Sequence, residues 1–345
     1  MSDGKKKMNV LVTGANGFVG SRFCEVVMPQ GRRVRRAVHQ ASGLPNEVVT
    51  GNVTGKTNWS EALSNVEIVV HTAARVHVMN DSAADPLTEF RKINTAGTLS
   101  LARQAAEAGV KRFIFVSSIK VNGEMTGGSG ETRPHPSPLP GGEGVNGVFT
   151  ENDSFVPIDP YGLSKYEAEQ GLLALAKDTG MEVVIIRPPL VYGPGVRANF
   201  ASMVRWVNKG VPLPLGAVHN QRSLIALDNL VSFISHCIDH PKAANEVFLI
   251  SDGEDVSTTE LLQKVAKALG KKSRLIPVPV GLMTFAAKLI GKSDVANRLF
   301  GSLQVDSSKA RNLLGWKPMI TMDAQLKKTA EAYLNRKALS NECRE

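Results

Sequence analysis

Asn9-Val10-Leu11-Val12-Thr13-Gly14-Ala15-Asn16-Gly17-Phe18-Val19-Gly20 is the stretch on which the fold turns. Asn9 to Thr13 is a short run of mostly branched apolar residues and reads as a buried strand. Phe18 to Met28 follows with helical spacing. Between them the glycines stand as GxxGxxG. Gly14 permits a tight turn, Gly17 lets a pyrophosphate approach backbone N–H groups, and Gly20 lets the helix pack closely on the strand. The helix N-terminus then faces the phosphates. Dinucleotide binding is the expectation here, with Asn16, Phe18 and Val19 completing the loop. A purely structural turn is the alternative.

Outward from this turn, strand-like runs alternate with helical patterns, as a parallel α/β sheet requires. Arg33–Val38, Ile68–His71, Phe113–Ser117 and Val183–Ile186 read as strands. Ala96–Ala108 and Tyr161–Lys177 read as helices. The fold expected is α/β, a Rossmann doubly wound parallel sheet with a smaller C-terminal substrate-binding domain. The dinucleotide-binding domain is assigned to residues 8–188 and rejoined by about 222–252. The substrate side is assigned to 189–221 and 253–335. From Gly127 to Gly147, eleven of twenty-one residues are Gly or Pro. Such a segment buries too little apolar surface to offset its ordering entropy, so it is expected to be a disordered inserted loop. It also resembles a translated dispersed DNA repeat. An active-site lid is the alternative.

The 345 residues are 42% hydrophobic, enough for a full core, and carry a net charge of +9. The basic clusters are not interleaved with aromatics, which make up only 6% of the chain, so no stacking platform for nucleic acid is expected. An anionic small molecule fits better, and a solvated basic surface explains most of the charge. Three cysteines far apart form neither a disulfide framework nor a metal-ligand set, so no metal is expected and the compartment reads as cytoplasmic. No stretch is long enough for a membrane span. Val278–Ile290 is apolar but interrupted by Lys288, and reads as a substrate-side helix rather than a membrane contact.

A carboxylate normally ends the second strand when NAD is bound, to hold the ribose hydroxyls. Here Val38 and His39 stand in its place. Its absence removes repulsion against a 2′-phosphate, and His39, Arg35 or Arg36 could assist one. The cofactor is therefore expected to be NAD or NADP, with a lean towards NADP.

Tyr161 and Lys165 form a YxxxK pair on one face of a helix. An ammonium near a phenol favours the phenolate. The phenol can then exchange a proton with a substrate hydroxyl while hydride moves to or from a nicotinamide. Ser117-Ser118 ends an upstream strand, where a hydroxyl could bond the reacting oxygen. Asn94 lies at the entry to the Ala96–Ala108 helix.

With the glycine turn, these residues resemble the extended short-chain dehydrogenase/reductases, the NAD-dependent epimerase/dehydratase family. The resemblance runs from about Met8 to Pro318. It includes His71-Thr72-Ala73-Ala74, Arg187-Pro188, Val191-Tyr192-Gly193-Pro194-Gly195 and Leu314-Gly315-Trp316-Lys317-Pro318. It implies that Tyr161 is the general acid/base and that Lys165 tunes it and binds the nicotinamide ribose. Ser118 would orient the substrate oxygen, with Ser117 the neighbour it could be confused with. Asn94 would support a link behind Lys165 or cap the helix. Further cofactor contacts are implied at Asn52, Val53, Ala73, Ala74 and Pro188. The second domain of the family binds a nucleotide sugar, here expected to be UDP-linked, and Asn199 and Arg222 are the candidates to hold it. A surface salt bridge is the alternative for Arg222. Relatives commonly form homodimers through the helix that holds Tyr161.

The family's 4,6-dehydratases carry Asp-Glu just after the catalytic Ser/Thr, whereas Ile119-Lys120 stand here. A dehydratase is thereby disfavoured. The stretch from Ser117 to Glu124 resembles the UDP-glucose 4-epimerase-like subgroup, which also holds reductases of UDP-4-keto-6-deoxy-hexosamines in surface polysaccharide (O-antigen) synthesis. The epimerase pattern has Tyr near Asn122 and Asn near Leu190. Their absence tilts the expectation to a 4-reductase, with a 4-epimerase as the alternative and a dinucleotide-sensing binding protein behind both.

Overall fold

The computed structural model describes residues 8–76, 85–126, 147–153, 155–291 and 293–342. The expected inserted loop, apart from Gly147, lies outside them. Strands are β1 (Asn9–Thr13), β2 (Arg33–Val38), β3 (Glu47–Val49), β4 (Ile68–His71), β5 (Arg112–Val116), β6 (Val148–Phe149), β7 (Glu182–Arg187), β8 (Leu190–Tyr192), β9 (Arg222–Ala226), β10 (Glu246–Leu249), β11 (Asp255–Val256) and β12 (Gln304–Val305). Helices are α1 (Phe18–Val27), α2 (Ser60–Leu63), α3 (Pro86–Phe90), α4 (Thr98–Glu107), α5 (Pro160–Thr179), α6 (Ala198–Asn208), α7 (Leu227–Asp239), α8 (Thr258–Ala268), α9 (Val280–Leu289), α10 (Ser293–Phe300), α11 (Ser308–Leu314) and α12 (Met322–Glu342).

Seven parallel strands form the main sheet in the order β10-β7-β5-β4-β1-β2-β3. β4 is buried throughout, and β1 and β7 are buried except for their first residues. That is why these segments read as unbroken apolar runs: helices cover both faces. On one face Phe23 and Val27 of α1 pack with Leu230, Phe233 and Ile234 of α7. On the other, Leu101 and Ala105 of α4 pack with Leu172 of α5 and with Trp59. Arg112 ties the end of α7 to the sheet by donating to the carbonyls of Cys237, Ile238 and His240 at 2.6, 2.9 and 3.0 Å.

The chain leaves β1 through α1 to reach β2 on one side, and later crosses to β4 on the other. The strand order thus reverses at β1, and the crevice beyond the C-terminal ends of β1 and β4 is where such sheets bind ligands. The glycine turn sits at that point.

A third core lies outside the main sheet and joins Tyr192, Phe200, Leu262 and Leu326. Beside it β9 pairs with β8 and β11 in a separate three-stranded sheet. The chain comes back to the main layer with α7 and β10. No helix of the described residues is long and apolar enough to cross a membrane.

Candidate active site

The glycine turn is built for close approach. Gly14 has φ +64°, and a Cβ there would meet the backbone N of Ala73 at 2.9 Å. A Cβ on Gly20 would lie 2.3 Å from the Gly14 carbonyl oxygen and 2.8 Å from Thr72 Oγ1. Helix α1 thus starts hard against the ends of β1 and β4. No side chain caps its N-terminus and no acid occupies its first turn, so its free N–H groups and partial positive charge suit an anion. Asn16 and Gly17 are exposed at the tip. The turn fits a dinucleotide pyrophosphate.

Behind the turn a buried chain of bonds fixes the rim. Thr72 Oγ1 donates to the Thr13 carbonyl at 2.7 Å. The His71 ring shares hydrogen bonds with Thr13 Oγ1 at 2.6 Å and Thr98 Oγ1 at 2.9 Å. Burial pushes the imidazole down to about 3, with the Lys165 charge acting the same way, so it is neutral at pH 7. Ala73 N donates to Thr13 Oγ1 at 3.3 Å. Ala73 and Ala74 are half-buried beside the turn, Val53 packs on the core under Gly97, and Asn52 is exposed.

His39 is exposed just after β2. Arg35 is already engaged, and Arg36 is turned into the interior rather than towards it. Arg35 donates to the carbonyls of Glu61, Ala62 and Ser64. Arg36 is buried near α1, with NH2 at 3.2 Å from Met28 Sδ. The lean towards NADP therefore loses its arginine support.

The catalytic candidates meet at the C-terminal end of β5. Asp159 caps α5 by accepting from Gly162 N at 3.1 Å, and Pro160 opens the first turn, so Tyr161 and Lys165 come one turn apart at its start. Ser118 begins the tight turn Ile119–Val121, with Oγ accepting from Lys120 N at 3.3 Å. Its hydroxyl faces the Tyr161 phenol and acts on it in the direction that favours the phenolate. Ser117, by contrast, donates to Glu169 Oε1 at 2.5 Å and is buried. The two adjacent serines are thereby told apart: Ser118 faces the phenol, and Ser117 faces the interior. Pro188 lies beside this turn, its carbonyl accepting from Ile119 N at 3.0 Å.

Lys165 is 2% exposed; Nζ donates to the Val116 carbonyl at 3.0 Å and lies 4.4 Å from the Phe115 ring centre. Burial pushes the ammonium down to about 7, against the opposing pull of Glu169. Burial also pushes the Tyr161 phenol up to about 12, opposed by the Ser118 hydroxyl. The depression expected from Lys165 is not present: burial and the nearby Asp159 charge raise the phenol, and the ammonium is turned to the Val116 carbonyl and the Phe115 ring.

Asn94 does not cap a helix. It lies inside a π-helical turn, Arg91–Gly97, that precedes α4. The wider turn holds its amide inward. Oδ1 accepts from Arg75 N at 2.8 Å, while Nδ2 donates to Arg75 O at 3.0 Å and Ser164 Oγ at 3.1 Å. Asn94 therefore fastens the segment after β4 to α5 at the residue before Lys165.

Sequence reading missed one buried network. Glu169 follows Lys165 by four residues, and is fully buried. Arg187 grips it through Nε at 3.1 Å to each carboxylate oxygen and through NH2 at 2.5 Å, while NH1 donates to Asn122 Oδ1 at 3.0 Å. The i, i+4 spacing on the YxxxK face was the available signal. Lys120, in the place of the dehydratase acids, pairs with Glu124 at 2.7 Å and Asp159 at 3.2 Å.

The substrate candidates stand farther along. Asn199 is exposed in the first turn of α6. Arg222 is no surface salt bridge: NH1 donates to the carbonyls of Arg298 at 3.0 Å and Gly301 at 2.9 Å. Leu190 is 48% exposed on β8.

Comparison with known proteins agrees with this geometry. Residues 10–251 match the NAD dependent epimerase/dehydratase family. The chain is 49% identical over 342 residues to a UDP-glucose 4-epimerase of Vibrio cholerae, covering 97% of this chain and 98% of that one. A UDP-glucuronic acid 4-epimerase from Bacillus cereus, solved with NAD, superposes with a TM-score of 0.73 at 20% identity, over 95% of this chain and 99% of that one. A UDP-glucose 4-epimerase from Thermotoga maritima, solved with UDP-glucose, gives 0.69 at 25% identity, over 96% and 100%. The chain belongs to the NAD dependent epimerase/dehydratase family. It is an enzyme of the short-chain dehydrogenase type, in a family defined by its dependence on NAD.

Proposed function

We propose that this protein is a UDP-sugar 4-epimerase. The observation that carries the reading is that Ser118 faces the Tyr161 phenol while Lys165, one turn on, reaches the last carbonyl of β5, in a chain 49% identical to a UDP-glucose 4-epimerase over nearly its full length. The 4-reductase favoured by the sequence alone has weaker support, since a relative 49% identical over 97% of this chain carries the epimerase name.

NAD held along the glycine turn supplies a reversible acceptor and donor of hydride at sugar C4. Tyr161 takes the proton of the C4 hydroxyl as hydride leaves, and returns it when hydride is restored to the other face. Ser118 holds the C4 oxygen against the phenol. Lys165, when protonated, would bond the nicotinamide ribose, and would stabilise the phenolate once its ammonium turns from the Val116 carbonyl towards Tyr161. The residues assigned to the cofactor are Gly14, Asn16, Gly17, Phe18, Val19, Gly20, His39, Asn52, Val53, Ala73, Ala74, Asn94 and Pro188. Asn199 and Arg222 are assigned to the nucleotide diphosphate; Arg222 has Nε and NH2 beyond the NH1 already used.

The epimerase pattern has Tyr near Asn122 and Asn near Leu190, and neither is present here. Asn122 is locked by Arg187 and by the Thr150 carbonyl, to which Nδ2 donates at 2.7 Å. The substrate side is placed in residues 189–221 and 253–335. A homodimer through α5, a cytoplasmic location and a place in surface polysaccharide synthesis belong to the same proposal. The test is to incubate the protein with UDP-glucose, and separately UDP-N-acetylglucosamine, without reductant. C4 epimers seen by proton NMR support the reading. Turnover confined to a 4-keto-6-deoxy UDP-sugar with reduced cofactor rejects it.

A further inference from the structure

One face of the molecule is both apolar and basic, and, Asn199 apart, no residue assigned to the reaction lies in the segments that form it. Helix α9 has no fully buried residue. Val280 and Met283 rest on the third core, which turns Leu282, Phe285 and Leu289 outward at helical spacing. These three are 61%, 61% and 72% exposed. Ile290 and Ile276 extend the strip. Exposed large apolar residues are ordinary one at a time, but a contiguous group marks a contact surface. The neighbouring segment belongs to the same face: Leu213 bridges Leu275, Ile276 N donates to the Leu213 carbonyl, and Arg274 reaches the Gly210 carbonyl at 3.4 Å. That segment adds the exposed Trp206 and Val211.

Charge identifies the partner. Segments 198–213 and 270–300 together hold eight Lys or Arg and one acid, Asp294. The rest of the chain holds 33 Lys or Arg and 31 Asp or Glu, so these two segments supply most of the net +9. An apolar helix with Phe285 on its exposed side, Lys288 in its last turn and Lys271, Lys272 and Arg274 in the segment before it matches an interfacial helix lying in the plane of an anionic bilayer. A second copy of this face would bring two strongly positive surfaces together, which disfavours self-pairing. We propose that the α9 face docks this protein on anionic membrane surfaces, with α9 parallel to the bilayer. The contact is continuous with the candidate substrate side, because Arg222 holds the end of α10 through the Arg298 and Gly301 carbonyls.

The test is sedimentation of the full chain with sucrose-loaded vesicles of phosphatidylcholine alone or with 30% phosphatidylglycerol. The expected result is at least about tenfold stronger binding to the anionic vesicles, weakened at 0.5 M salt. The exposed-face variant Leu282→Ser/Phe285→Ser/Leu289→Ser should lose at least about tenfold of that binding. Its far-UV circular dichroism should match the parent, which separates lost docking from lost fold. Equal and weak binding to both vesicles overturns the proposal. So does undiminished binding by the triple variant, or a dimer in solution that the triple variant abolishes without any vesicle binding by the parent.

Discussion

Glu169 holds Arg187 with both carboxylate oxygens, out of solvent, one helical turn beyond Lys165. A buried pair of this kind is costly to break from one side, because the survivor is left charged and unpaired. Arg187→Met should therefore destabilise the protein by about 3–5 kcal/mol in urea unfolding. Glu169→Leu/Arg187→Met should recover much of that loss. If the single variant unfolds like the parent, the network carries no stability.

Ser117 and Ser118 offer a split test. Ser117→Ala removes the donor to buried Glu169 and should cost about 1–3 kcal/mol, with kcat little changed. Ser118→Ala should leave stability near that of the parent and lower kcat by about 10- to 1000-fold. Steady-state kinetics beside urea titrations check both. The reverse pattern would exchange the assigned roles.

His71 gives a pH dependence whose sign is fixed by burial. Its folded value is about 3, against an ordinary 6.5. Between those values the unfolded chain binds a proton that the folded chain does not, so stability falls as pH drops through this window. His71→Gln should flatten that part of the curve. Chemical unfolding at pH 7, 6, 5 and 4 measures it; an unchanged slope in the variant would show that His71 does not contribute.

Gly20→Ala puts a methyl 2.3 Å from the Gly14 carbonyl oxygen, where backbone rather than a flexible side chain must move. The turn and the α1 N-terminus should shift, and NAD affinity should fall at least about tenfold. Calorimetric titration with NAD reads this. Parent-like affinity would mean that the turn does not hold the pyrophosphate.

The parts of the fold that were legible in sequence are those encoded locally. The run from Asn9 to Gly20 carries its own strand, turn and helix start, and Tyr161 and Lys165 share a face through spacing alone. What was not legible depends on contacts between distant segments. Nothing near Ser117 says that it meets Glu169, 52 residues on, while Ser118 meets Tyr161. For Asn94 the sequence left open a link behind Lys165 or a helix cap; the π turn, in which Arg75 and Ser164 hold its amide, removes the cap. Of the two arginines of β2, at most one of which could have assisted a 2′-phosphate, Arg35 is held by carbonyls of the α2 region and Arg36 is buried with NH2 against Met28. Val278–Ile290 showed its apolar character in sequence, but only the packing of Val280 and Met283 shows which side is left bare.

The central claim is that Tyr161 moves the proton while hydride leaves and returns at one sugar carbon. The most direct measurement is the conversion of UDP-glucose to UDP-galactose by the parent and by Tyr161→Phe, without added reductant, followed by proton NMR. The account predicts turnover by the parent and a loss of about 100- to 10,000-fold in the variant, with the fold intact. Full activity in Tyr161→Phe, or no conversion by the parent, would contradict it.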